Sequence, residues 1–235
     1  MIRLSSADTT TTAEAEAEEA PPRDDLREGL VARLRDELGD AVLDHHIRPG
    51  DELWVRVSRD AWREAGRLCK VALRCEFFDF LSAIDWLPSP FGRDMDSQED
   101  LVVHGAADKE PQEMAWGYAG GETRFQVFAR VYNIQAHHGI VLKADVPDDD
   151  LAVDSWVSVY LGANWHEREC HEMFGISFTG HPHLAKLYLP GAFEGHPMRK
   201  DFPLLSRRVK PWPGIVDVEP MPGEAEGDGE GEGDS

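Results

Sequence analysis

Two alternating segments limit what this 235-residue chain can fold into more than any other feature. Phe125, Val127, Ala129 and Val131 take every second position of one segment. Ile140, Leu142, Ala144 and Val146 do the same in the next. Alternation puts each set on one face of a half-buried strand. The stretch from Asn133 to Gly139 between them is short, so the strands pair antiparallel as a hairpin. His137 and His138 fall at its tip and read as solvated turn histidines. Residues 52–57 repeat the alternation with Leu53, Val55 and Val57, which predicts another strand. A sheet with one apolar face needs a cover.

Helical spacing supplies that cover. Leu26, Leu30, Leu34 and Leu38 recur every four residues with Val31 beside them, Asp25 and Glu28 resemble a capping box, and Gly39 stops the run. A second helix is expected over residues 60–73, with Trp62, Ala65, Leu68, Cys69 and Ala72 inward. Cys69 reads there as a small buried hydrophobe. Residues 77–87 are apolar and predict a strand in their second half, ending before Pro88. Residues 155–161 fit either period, and residues 163–174 read as a helix closed by Gly175. The fold class is α+β: a small, mostly antiparallel sheet with helices packed on it, followed by an extended C-terminal arm.

Composition sets the outer limits. Residues 1–23 hold almost no large apolar group, so they are expected to be a disordered extension. The α/β body is expected over residues 24–180, interrupted by a Pro-, Gly-, Asp- and Gln-rich surface insertion at 88–121. Eight prolines fall from Pro182 to Pro222, the mark of an extended arm at 181–212 and not of a second folded domain. Residues 213–235 form an acidic, Gly-rich tail, also expected to be disordered. The formal net charge is −21, of which residues 29–212 carry only −8. That acidic balance argues against nucleic acid, whose phosphates need clustered Lys and Arg. No apolar run reaches the roughly 18 residues that cross a bilayer, and the acidic N-terminus has no apolar signal core. Membrane contact is therefore expected only through a partner. Cys69, Cys75 and Cys170 are odd in number and show no CxxC spacing, which argues against a disulfide framework and fits a reducing compartment. Three scattered thiols also fall short of the four that an iron–sulfur cluster usually takes.

The chemistry-bearing residues concentrate in residues 164–204, NWHERECHEMFGISFTGHPHLAKLYLPGAFEGHPMRKDFPL, which contain five histidines. His166-Glu167 followed by His171 resembles the zinc-protease HExxH, but the second histidine comes one residue late. It lies about 140° around the helix from the first, so the two cannot share a metal. A looser set from His166, Cys170, His181, His183 and His196 leaves open a stand-alone His/Cys metalloenzyme, although its members are strewn over a proline-broken segment. Cys170 lies mid-helix above Phe174 and reads as packing, not as a nucleophile. Glu167 and Glu169 point to nearly opposite sides, which suits paired-carboxylate catalysis poorly. Recognition is the other reading. Arg168 with Glu172, and Glu167 with His171, are spaced for local pairs. Glu169 shares a row with Trp165 and Met173, where a buried carboxylate would need Arg199, Lys200 or a partner's arginine.

The run from ERECHEMFG to GHPMRKDFPL resembles the signature of the C subunit of proton-pumping NADH–quinone oxidoreductase, respiratory complex I. It departs from that signature at Glu172, at His183 and at Gly191-Ala192-Phe193. The resemblance implies a non-catalytic peripheral-arm subunit on the cytoplasmic side of the membrane. It implies FMN, iron–sulfur clusters and quinone on other subunits and none on this chain. It also implies an arm that wraps the quinone-site D subunit, beside neighbouring hydrophilic-arm subunits. The residues assigned to partner contact are Glu167, Arg168, Glu169, His181, Lys186, His196, Arg199, Lys200 and Asp201. The equivalent subunit of a membrane-bound hydrogenase or dehydrogenase complex is the nearest alternative.

Overall fold

The alternating segments become the centre of a sheet with one dry face. The computed structural model describes residues 23–88 and 113–202. Five strands, β1 (Val42–Ile47), β2 (Glu52–Val57), β3 (Phe77–Asp85), β4 (Phe125–Asn133) and β5 (His138–Val146), lie in the order β1-β2-β5-β4-β3. β4 and β5 form the expected hairpin, with Ala129 opposite Leu142 and Val131 opposite Ile140. The sheet is mostly antiparallel, but β2 runs parallel to β5 with Val55 opposite Leu142. The chain leaves β2 through a helix, crosses to the far edge as β3 and returns as β4, which sets β5 beside β2 in the same direction.

The dry face is lined by Leu53, Val55 and Val57 of β2, Ile140, Leu142 and Ala144 of β5, and Val127, Ala129 and Val131 of β4, all fully buried. Helix α1 (Asp25–Leu38) adds Leu30, Val31 and Leu34 to this core. Helix α2 (Trp62–Val71) adds Trp62, Ala65, Leu68 and Cys69. Asp24, one residue earlier than expected, caps α1 by accepting the Arg27 N–H, and Gly39 ends it at φ +55°. The indole of Trp62 stacks on Trp156, with ring centres 4.5 Å apart.

The opposite face mixes aromatic groups such as Trp54 and Phe128 with charged ones, several of them paired: Arg130 with Glu52 and Asp79 at 2.6 Å each, Arg56 with Asp145 at 2.9 Å. Residues 113–121, the described end of the expected surface insertion, lie against this face. Lys143 Nζ donates to the Tyr118 carbonyl, Trp116 Nε1 to the Thr123 carbonyl, and the Tyr118 ring stacks on His46. Burial pushes the Lys143 ammonium down to about 8. Residues 1–22, 89–112 and 203–235 fall outside the described residues, and with them the expected N-terminal extension, most of the insertion, the end of the arm and the acidic tail.

Several local expectations change. Residues 77–85 form strand throughout, not only in their second half. Residues 155–161 form turns between β6 (Ala152–Asp154) and the helix that starts at Ala163; β6 pairs parallel with β7 (Ser177–Thr179), and both are too short to show a period. β1 has no signal in the sequence pattern, because Asp44, His45 and His46 interrupt it. His138 is a correction. It belongs to β5, is 6% exposed and faces the Cys75 thiol at 3.9 Å, so only His137 (φ +51°) is a turn histidine.

A side chain at Gly66 would place its Cβ 2.6 Å from the Trp156 ring, which has no room to move in the core. Gly66→Ala is expected to destabilise the protein by about 1–3 kcal/mol through overpacking. Urea unfolding followed by tryptophan fluorescence would measure it.

Candidate functional site

Helix α3 (Ala163–Phe174) lies along β3, one of the two edge strands of the sheet, with His166 Nδ1 3.2 Å from the Leu81 carbonyl. It covers main-chain groups that would otherwise stay open. Gly175 ends the helix at φ +78° and donates its N–H to the His171 carbonyl. Ala163, Cys170 and Phe174 point into the core. Glu167 is fully buried with them, its carboxylate accepting the Ser155 hydroxyl at 2.6 Å and the Trp156 N–H at 2.5 Å. Burial outweighs those two donors and pushes the Glu167 carboxyl up to about 7.

The chain beyond Gly180 has no regular secondary structure, so its main-chain groups must find side chains or water. Two residues of α3 supply most of what residues 185–189 need. Arg168 donates to the Ala185 and Lys186 carbonyls at 2.8 and 3.1 Å. One turn later, the buried Glu172 carboxylate accepts three N–H groups in a row, from Leu187, Tyr188 and Leu189, at 2.7–2.9 Å. Burial opposes its ionisation, but the three donors together outweigh burial and hold the carboxyl below its ordinary range. Charge-assisted bonds of this kind contribute roughly 1.5–3 kcal/mol each. The helical pairs expected from spacing, Arg168 with Glu172 and Glu167 with His171, are absent among the described residues because these groups are turned to the arm and the core.

The histidines do related work. His171 reaches the Ile176 carbonyl, His181 the Asn164 carbonyl and His196 the Glu172 carbonyl. His181 Nδ1 accepts the His183 N–H, so its proton sits on Nε2, which donates to Asn164. Arg199 donates to the Phe174 carbonyl and lies over the Phe125 ring. Both His196 and Arg199 crowd Gly175, where an added Cβ would come within 2.6 Å of each. Gly175 is thus required twice, for its positive φ and for the close approach of the arm.

A third carboxylate fastens the end of the described arm. Asp85, buried at the end of β3, takes a bidentate pair from Arg124 at 2.9 and 2.7 Å and the Lys200 N–H at 2.8 Å. Burial opposes its charge, but Arg124, Lys200 and Leu87 outweigh it and keep the carboxyl below its ordinary range. Arg124 also pairs with Asp201 at 3.0 Å.

Of the nine residues assigned to partner contact, Glu167 is inside the body. Arg168, His181, His196, Arg199 and Asp201 join arm to body, and Lys186 Nζ donates to the Phe193 carbonyl within the arm. Lys200 contributes its main chain. Glu169 does not sit in a buried row, since Trp165 beside it is 66% exposed, and neither Arg199 nor Lys200 pairs with it. Sequence reasoning missed Glu172, Asp85 and Arg124. The available signal was the arm itself: a run of unpaired N–H groups demands acceptors, and helical spacing does not show which carboxylates supply them. Among the described residues, no three His, Cys, Asp or Glu side chains gather as metal ligands. The Cys69 and Cys170 thiols are buried and pushed well up, and Cys75 to about 12, which keeps all three protonated.

The profile for "Respiratory-chain NADH dehydrogenase, 30 Kd subunit" matches residues 55–208. The NADH-quinone oxidoreductase C/D subunits of Citrobacter koseri and Salmonella heidelberg are 33% and 32% identical to this chain over 192 residues. The aligned region is 81% of this chain and 28% of either relative, so the chain spans little more than a quarter of their length. A chain from the membrane-bound sulfane sulfur reductase, an archaeal respiratory membrane complex, has a similar fold, with a TM-score of 0.50 and 20% identity. The match covers 76% of this chain and 86% of that one.

Two outcomes follow from the geometry. Glu172→Ala strands three main-chain donors, so amide hydrogen exchange at Leu187, Tyr188 and Leu189 is expected to speed up by at least about tenfold while the strands of the sheet keep their protection. Unchanged exchange there would refute the clamp. Glu167 binds its proton more tightly folded than unfolded. Its contribution is therefore complete below about pH 4.5 and is lost as pH rises towards 7, on the order of 1.4 kcal/mol per unit. Glu167→Gln is expected to flatten the pH dependence of unfolding free energy across that window.

Proposed function

The chain belongs to the 30 kDa, or C, subunit family of respiratory-chain NADH dehydrogenases, and from that membership we propose that it works as a non-catalytic peripheral-arm subunit of NADH–quinone oxidoreductase. The profile match over residues 55–208, which takes in most of the body and all of the described arm, carries this reading. The chain supports assembly of a complex that moves electrons from NADH to quinone and couples this to proton translocation. FMN, the iron–sulfur clusters and quinone are held by partner subunits. The site chemistry supports that division. Glu167, Glu172 and Asp85 have their oxygens taken up by donors of this chain, and the three thiols are protonated and buried. In this reading the chain attaches to the membrane through the complex, on its cytoplasmic side; no helix among the described residues is long and apolar enough to cross a membrane.

The quinone-site D subunit is the neighbour this reading favours. The relatives' name joins C and D in one chain, and two parts fused in one chain lie within reach of each other. The described arm is held to α3 as far as Arg199 and to Asp85 and Arg124 through Lys200 and Asp201, and wrapping of that neighbour by the arm is part of this reading.

Tagged full-length protein, extracted from membranes with mild detergent, is expected to bring down the other subunits of the complex; recovery only as a free chain would refute the role. The co-purified set also separates this complex from a related hydrogenase or dehydrogenase. Replacing Arg199, Lys200 and Asp201 together with alanine removes contacts to Phe174, Phe125 and Arg124. It is expected to lower subunit recovery more than truncation after Ser206 does. Equal recovery in the two variants would contradict the arm's part in assembly.

A further inference from the structure

One row of side chains on α3 is only partly covered, its Met173 end against the core and its Trp165 end open. Trp165 is 66% exposed, and two large side chains of the arm, Met198 and Tyr188, are 50% and 59% exposed. At about 100° per residue, Trp165 and Glu169 project some 40° apart, so they form one row. Met173 continues the row, and Met198 is fixed at its end by the bond from its N–H to the Met173 carbonyl at 3.2 Å. Tyr188 borders the row, held there through its N–H on Glu172.

Glu169 stands in the middle. Among the described residues no cation pairs with it, and the nearby cations are committed elsewhere. Arg168 serves the Ala185 and Lys186 carbonyls, Lys186 the Phe193 carbonyl, and Arg199 the Phe174 carbonyl. Covering this row would take Trp165 out of water, a favourable change, and would strip water from the Glu169 carboxylate, an unfavourable one. The covering surface must therefore bring a cation along with its apolar groups. A second copy of this chain is a poor match, since residues 29–212 carry a net −8.

We propose that the Trp165–Glu169–Met173 row, bordered by Tyr188 and Met198, is the contact face for an apolar segment of a partner subunit that carries an arginine or lysine to pair with Glu169. The proposal rests on the subunit role above and assigns the face of α3 through which that role is exercised. Trp165 is the anchor, as buried tryptophans tend to be at interfaces, and Glu169 selects the partner by charge.

The test uses the full chain in its own cells. Trp165 is replaced by the photo-cross-linking residue p-benzoylphenylalanine, and Glu169→Lys, Trp165→Ala and the control Val71→Ala are tagged for recovery of the complex. Val71 is 61% exposed on α2, away from this row. The expected result is a cross-link to one partner chain, within an apolar segment containing Arg or Lys. Recovery of partners should fall at least about tenfold for Glu169→Lys and Trp165→Ala, and stay unchanged for Val71→Ala. Thermal melting of the purified chains should be the same for all. A cross-link to a second copy or to residues 203–212 of the same chain overturns the proposal, as does full recovery with Glu169→Lys. If the unaltered chain recovers partners and the row variants do too, only the assignment of the face fails; if the unaltered chain recovers none, the subunit role fails and the face with it.

Discussion

An extended chain cannot lie against a protein surface unless its N–H and C=O groups are met, and this requirement shapes everything after Gly180. Residues 185–189 meet it on one helix. Arg168 takes two carbonyls, and Glu172 takes the three N–H groups that follow them. The two side chains are four residues apart on α3, so a single turn of helix presents a cation and then an anion to a chain running alongside. Their charges are spent on dipoles of the arm instead of on each other, and each such bond is stronger than a neutral one.

The remaining fastenings extend the same logic. His171, His181 and His196 each face a main-chain carbonyl, and Asp85 secures the Lys200 N–H from the far end of β3. Body and arm are thereby coupled through the sheet: Arg124, at the start of β4, holds Asp85 and Asp201 together. Gly175 makes the geometry possible, because any side chain there would push out His196 and Arg199. A histidine-rich, carboxylate-rich motif that resembles an active site on paper is, in three dimensions, a set of clasps. Reactivity is suppressed at the same positions. Glu167 is held in the core with its proton affinity raised, and the Cys170 thiol lies beside it, also kept protonated.

A surface built this way leaves its own signature when one side is unfinished. The arm covers the Arg168 and Glu172 side of α3 and stops short of Trp165 and Glu169. Where the arm lies, donors and acceptors are matched. Where it does not, an exposed indole remains beside a carboxylate with no cation among the described residues. The contrast within a single helix separates the part of α3 that serves the chain's own fold from the part left open.

Much of the body was legible in the sequence, because alternation with period two and spacing near four report directly on which face is buried. The β4–β5 hairpin, β2, α1, α2 and α3 all follow from such patterns, as does the motif that carries the family resemblance. Period could not reveal β1, β6 and β7, which are interrupted or too short, nor the parallel register of β2 on β5, which depends on the path taken by α2, β3 and β4. It misassigned His138, since whether a hairpin ends at residue 137 or 138 decides between solvent and the Cys75 thiol. The clasps were equally hidden. Spacing within a helix names neighbours on that helix, and Glu167, Arg168 and Glu172 found their partners 11 to 18 residues away. The sequence by itself determined most of the elements and the family, through local periodicity and a long motif. Only the tertiary structure decided which charges are buried, which hold the arm and which face outward, because those choices depend on groups that folding brings together from distant parts of the chain.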